Sequence, residues 1–191
     1  MSAARGSLVR HLPNFICLIR VALVWPIVAT LHAGEHRTAL VLFVAAAVSD
    51  GLDGYLAKRF QWTSELGKIL DPAADKLLLM AVFIESAWLG LVPWWLTAAV
   101  VARDVLIGLG ALTYRLWVGP LQGRPTPISK LNTAAQLLYV ALVMLNSAYS
   151  VLPRTLLALG ALLVFSTTVV SGVNYVASFT RRAWAEPVRP A

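Results

Sequence analysis

The sequence predicts an all-α, polytopic membrane protein with six transmembrane helices. Of its 191 residues, 59% are hydrophobic and only 13% are charged, about half the globular norm of roughly 25%. Apolar runs close to the ~20 residues that cross a bilayer recur along the whole chain. The cations fall in alternate breaks between those runs, the pattern of loops sorted by membrane side. In a soluble chain the net charge of +7 would suggest nucleic acid. In this one, basic loops facing the cytoplasm and anionic lipid account for it, and no nucleic-acid partner is expected. The lone Cys17 excludes an internal disulfide framework and a cysteine-built metal site.

The spans are read in order as residues 15–32, 38–59, 65–89, 93–117, 128–149 and 153–179. The first follows Arg5, Arg10 and His11 as a signal peptide would, but its apolar run is long for a signal core of about 7–15 residues, so it is read as a span. Residues 1–14 are read as an interfacial segment, with Leu8, Val9 and Leu12 apolar beside Arg5 and Arg10. The second and third spans are joined at Gln61–Ser64, and the others by short polar breaks such as "HAGEHR" and "GLVP". Residues 15–180 then form one transmembrane domain, and residues 181–191 a frayed cytosolic tail. With both termini inside, the inner segments hold eleven of the cations, among them Lys58, Arg59, Lys68 and Lys130. The outer loops hold only Arg37 and Arg154, which orients a multi-pass chain with both termini cytoplasmic; the inner cell membrane is its expected location.

Four acids contradict this apolar setting: Asp50, Asp53, Asp71 and Asp75. Each costs about 2.5–3.5 kcal/mol at mid-membrane, so all four must face the bundle interior or a wet cavity. Asp50 and Asp53 are three apart and share a helix face; Asp71 and Asp75 are four apart and do likewise. Folding the chain at Gln61–Ser64 sets Asp50 level with Asp75 and Asp53 level with Asp71, roughly 15 Å from the turn. Such a cluster needs protons or cations. Oxygen ligands without His or Cys suit hard Mg²⁺, Mn²⁺ or Ca²⁺. Two ions about 3.5–4 Å apart would make a phosphoryl-transfer site, with one carboxylate left to act as base. Gly54 and Gly67 allow close approach of either a ligand or a packed helix. Lys58 and Arg59 serve either as inner-side anchors or as phosphate cations.

The stretch "SDGLDGYLAKRFQWTSELGKILDPAADK" resembles the signature of the CDP-alcohol phosphatidyltransferase family. The matching positions are Asp50, Asp53, Gly54, Ala57, Gly67, Asp71 and Asp75. The family's arginine after the alanine is here Lys58, with Arg59 next to it; lysine lacks the bidentate fork. The resemblance implies a homodimer of six-span chains with a polar cavity open to the cytosolic interface. It implies two divalent ions, Mg²⁺ or Mn²⁺, held by Asp50, Asp53 and Asp71, with Asp75 as general base and a possible fourth ligand. Gly54, Ala57, Lys58 and Gly67 would line the cytidine nucleotide of CDP-diacylglycerol, whose lipid-side phosphorus an alcohol attacks with release of CMP. "PNFICLIR" is similar to the family's opening and makes Asn14 a nucleotide residue and Arg20 a phosphate residue; otherwise they are a helix cap and a partner for the acids.

"ARDVLI" and "RPTPISKLNTAAQ" resemble the cardiolipin-forming branch of the family, which is close to the branch that forms phosphatidylglycerophosphate. The implied acceptor is phosphatidylglycerol, with glycerol 3-phosphate as the alternative. Arg103 and Lys130, with Arg20 and Arg59, are the cations for an acceptor phosphate. Arg103 is also read as an ion-pair partner of Asp104, and Lys130 as an interfacial anchor. A cation-coupled transporter is the rival class, but it predicts acids strung between both faces and often an inverted repeat. Here the acids share one hairpin, and no repeat is visible.

Overall fold

In the computed structural model, residues 19–60, 67–117 and 126–185 are described, with side chains for 19–51, 74–113 and 126–178. Six helices account for nearly all of them: α1 (Ile19–His32), α2 (His36–Phe60), α3 (Gly67–Trp88), α4 (Trp94–Trp117), α5 (Pro127–Tyr149) and α6 (Arg154–Ala185). The chain is an all-α polytopic membrane protein. Three of the helices, α4, α5 and α6, contain stretches long and apolar enough to cross a bilayer. With 25 and 22 residues, α2 and α3 have spanning length as well, but they carry the charged motif that lowers their hydropathy.

Local chemistry sets the helix ends. α1 stops at Gly34, whose φ of 78° is left-handed. The Gly34 N–H bonds to Leu31 O at 3.1 Å and the Glu35 N–H to Thr30 O at 2.9 Å, the paired bonds of a Schellman cap. Gly90 repeats this at the end of α3, with φ 72° and bonds from Gly90 to Ala87 and from Leu91 to Ser86. α5 ends at Ser150, left-handed at φ 53°, through a single bond to Asn146 O. α5 starts on a Thr126 cap, whose hydroxyl accepts the Ser129 N–H, and Pro127 fills the first helical position. Pro93 and Pro153 start α4 and α6, their carbonyls accepting the first helical bonds.

One expected boundary moves. Instead of giving way to a frayed tail at residue 181, α6 continues through Arg181 and Arg182 to Ala185. "AWA" favours helix, and the first residue that restricts it is Pro187, which disfavours helical backbone at the residue before it. The interfacial reading of residues 1–14 lies outside the described residues.

Two compact units are present. The first gathers α1, α2, α3 and the last turns of α5, around Ile27, Leu31, Phe43, Val82 and Phe83. α1 and α3 run parallel in it: Arg20 meets Asp75 near one end, and His32 meets Glu85 at 2.7 Å ten to twelve residues further on. α2 runs back and brings Asp50 to the Arg20 level.

The second unit gathers α4, the first half of α5 and α6, with α4 packed on α6. Trp95 meets Phe165 edge-on at 5.3 Å. α5 and α6 are antiparallel, and their pairs Ser129/Ser171, Asn132/Thr168 and Tyr139/Gly160 all centre near residue 150. At the last pair a Cβ on Gly160 would stand 2.9 Å from Tyr139 Cδ2, on a ring that is itself buried. Gly160→Val is therefore expected to destabilise by about 1–3 kcal/mol, the usual range for overpacking. A thermal melt of the detergent-solubilised protein would check this; an unchanged midpoint would mean that the ring moves aside at no cost.

The surface has the inverse polarity of a soluble bundle. Val105, Leu106, Leu109 and Leu112 of α4 and Leu159, Leu162, Leu163 and Val173 of α6 are exposed, while Arg103, Asn132, Gln136, Thr168 and Ser171 are buried. Lipid tails solvate the first set as well as a protein core would, and all of the second set but Gln136 hydrogen-bond inside.

Candidate active site

α1 places Arg20 in the first unit with its side chain only 6% exposed. Its guanidinium spans two helices. Nη2 pairs with Asp50 Oδ1 on α2, and Nη1 donates to Asp75 Oδ1 on α3 at 2.5 Å. The carboxylates themselves are 43% and 37% exposed. The cation therefore sits behind the acids, and the acids keep an accessible side. The sequence register set Asp50 level with Asp75, and the structure brings these two to one guanidinium. Of the two roles open to Arg20, partner of the acids is the one seen in the contacts.

The other motif positions are known only through their backbone. Asp53, Gly54, Ala57, Lys58 and Arg59 lie on α2, and Gly67 and Asp71 on α3; their side chains, like all of Asn14, lie outside the described residues. Among the described residues, no three His, Cys, Asp or Glu side chains gather as a metal would require. The donors of Asp50 and Asp75 nonetheless fit a hard divalent ion, being oxygens from facing helices already directed at one cationic position. At the far end of the first unit, a cavity of about 290 Å³ is lined by Glu35, His36, Arg37 and Ser147 among others. It is about 20 Å along α2 from Asp50 at 1.5 Å per residue, remote from the acids.

The second unit holds a polar seam that the sequence reading missed. Arg103 is buried, its side chain 4% exposed, and pairs with Asp104 at 2.6 Å. It also donates to Ser129 Oγ at 2.8 Å and Ser171 Oγ at 2.5 Å. One turn along, Asn132 Oδ1 accepts from Thr167 and Thr168, both at 2.9 Å. Gln136 follows, fully buried, and neither its amide nitrogen nor its amide oxygen has a hydrogen-bond partner among the described residues. The available signal was the spacing of Ser129, Asn132 and Gln136, at i, i+3 and i+7 within an apolar run, which marks one helix face. Arg103 thus adopts its ion-pair reading, while Lys130, also considered for the acceptor, is exposed near the start of α5.

A lipid-compatible exterior, an interior stitched by polar side chains, and two acids from facing helices on a shared cation define an integral membrane protein with a charged centre inside its helices. Residues 10–172 match the sequence profile of the CDP-alcohol phosphatidyltransferases, and the chain belongs to that family. It is a transferase of phospholipid biosynthesis. It is 30% identical over 183 residues to the "Probable phosphatidylglycerophosphate synthase" of Mycobacterium tuberculosis, covering 91% of this chain and 83% of the relative. It is 34% identical over 102 residues to the cardiolipin synthase (CMP-forming) of Streptomyces coelicolor, covering 50% and 47%. With CDP-diacylglycerol–glycerol-3-phosphate 3-phosphatidyltransferase 1 of Arabidopsis thaliana it shares 32% identity over 198 residues, covering 93% and 64%.

Proposed function

We propose that the protein transfers the phosphatidyl group of CDP-diacylglycerol to a glycerol hydroxyl of phosphatidylglycerol, forming cardiolipin and CMP. The transfer chemistry is supported by the convergence of Asp50 and Asp75, both motif residues, on one level of facing helices, and the choice of acceptor by the likeness of "ARDVLI" and "RPTPISKLNTAAQ" to the cardiolipin-forming branch. Asp75 takes the proton of the acceptor hydroxyl. The acceptor oxygen forms a bond to the lipid-side phosphorus as the bond from that phosphorus to the bridging oxygen breaks, and CMP leaves with the electron pair. Asp50, Asp53 and Asp71, with Asp75 as a further ligand, would hold two divalent ions, Mg²⁺ or Mn²⁺, which supply neutralising charge to the pyrophosphate. Gly54, Ala57, Lys58, Gly67 and Asn14 are assigned to the nucleotide. Lys130 and Arg59 are assigned to acceptor phosphate by sequence likeness. The protein is read as a homodimer of the inner cell membrane with both termini cytoplasmic.

A second reading takes glycerol 3-phosphate as acceptor. The relative that matches 91% of the chain and is named as a phosphatidylglycerophosphate synthase favours it. Purified protein given CDP-diacylglycerol, Mg²⁺ and each acceptor in turn separates the two. Cardiolipin from phosphatidylglycerol is the expected product, and EDTA should stop its formation until Mg²⁺ or Mn²⁺ is restored. Phosphatidylglycerophosphate without cardiolipin would establish the second reading. Turnover that survives chelation would refute the metal.

A further inference from the structure

Arg20 joins two helices through two acids. An arginine fork frequently grips one carboxylate with two parallel bonds. Here the two terminal nitrogens part, one to Asp50 on α2 and one to Asp75 on α3. The guanidinium is almost wholly buried while both acids remain partly exposed. A buried guanidinium without a counter-charge is strongly unfavourable, so Arg20 needs these acids as much as they need a cation. A divalent ion bound by the same acids draws on the same carboxylate electron pairs. Two cations that share ligands also repel each other at close range, and more so away from bulk water.

We propose that Arg20 is a resident counter-cation of the carboxylate pair: it holds Asp50 and Asp75 in register and is displaced from at least one of them when a divalent ion binds. The inference rests on the metal reading above and extends it. Arg20 is then a positioning residue whose release and metal loading are one coupled equilibrium. Metal affinity in the resting protein is held down by the competitor. A guanidinium freed from a carboxylate seeks another oxyanion, and the pyrophosphate of the donor is the one the proposed reaction brings. Loading of metal and arrival of donor would favour each other through this one side chain.

Mn²⁺ binding to the detergent-purified full chain, without lipid substrate, tests the idea by electron paramagnetic resonance. Arg20→Met removes both the competitor and one positive charge, and is expected to tighten Mn²⁺ binding at least tenfold. Arg20→Lys, which keeps the charge but not the span between two acids, should fall between. A residue that only braced the fold would give unchanged or weaker binding, and either result would overturn the proposal. Should Arg20→Met fail to fold, nuclear magnetic resonance of guanidinium-labelled wild-type protein still decides. Mg²⁺ should shift the Arg20 Nη signals and speed their rotation, and signals indifferent to saturating Mg²⁺ would overturn it. Wild-type protein that binds no Mn²⁺ would remove the metal reading and this inference together; wild-type binding that Arg20→Met leaves unchanged would remove this inference alone.

Discussion

Asp75→Asn is expected to lower CMP release about 10²–10⁴-fold, the range that a positioned general base contributes. The substitution keeps the shape of the side chain and an oxygen that can accept from Arg20 Nη1, and Arg20 retains its pair with Asp50. The fold should therefore survive, with a melting midpoint close to that of the wild type. What is lost is the ability to take a proton from the acceptor hydroxyl. Asp50→Asn gives the contrast. It pairs with the same guanidinium but is assigned to metal, so its defect should shrink as Mg²⁺ is raised, while that of Asp75→Asn should persist at saturating Mg²⁺. The measurement is release of labelled CMP from CDP-diacylglycerol across a Mg²⁺ series. Turnover of Asp75→Asn within threefold of wild type would end the base assignment, and a defect rescued by Mg²⁺ would turn Asp75 into a ligand only.

The pairing of Asp50 with Asp75 was legible because it depends on two local quantities, helical rise and the position of a turn. Any antiparallel hairpin folded at Gln61–Ser64 puts them level, whatever else the bundle does. The ends of α1 and α3 were legible for a similar reason, since the breaks "HAGEHR" and "GLVP" hold Gly34 and Gly90, which act within a few residues of themselves. Arg20 was harder. Sequence shows a cation in the first span but not which helix face it shares with the acids, so phosphate ligand and ion-pair partner stayed equally open. The Arg103 seam was the least legible. Its members come from three helices distant in sequence, and a serine or threonine in an apolar helix signals little alone, because it can bond to the carbonyl four residues back. Thr167 shares its one hydroxyl proton between Leu163 O and Asn132 Oδ1.

The second large effect is expected at Arg103. Its guanidinium and the Asp104 carboxylate are each 4% exposed, so neither has water to fall back on. Arg103→Met leaves Asp104 charged, buried and without that partner, and takes a donor from Ser129 and Ser171. Breaking a buried pair on one side costs about 3–5 kcal/mol. That is a large share of the roughly 5–15 kcal/mol that keeps a domain folded. The double variant Arg103→Met/Asp104→Leu removes both charges and should recover most of the loss, because apolar replacement of a buried pair is often neutral. Thermal melts of the three proteins in one detergent would measure this. The double variant also separates structure from acceptor binding. If Arg103 only braces α4 against α5 and α6, the recovered protein should keep its acceptor KM within threefold of wild type. A double variant that melts like the wild type but needs tenfold more acceptor would return Arg103 to the acceptor phosphate. A double variant as unstable as Arg103→Met would show instead that the two serine bonds, not the ion pair, hold the seam together.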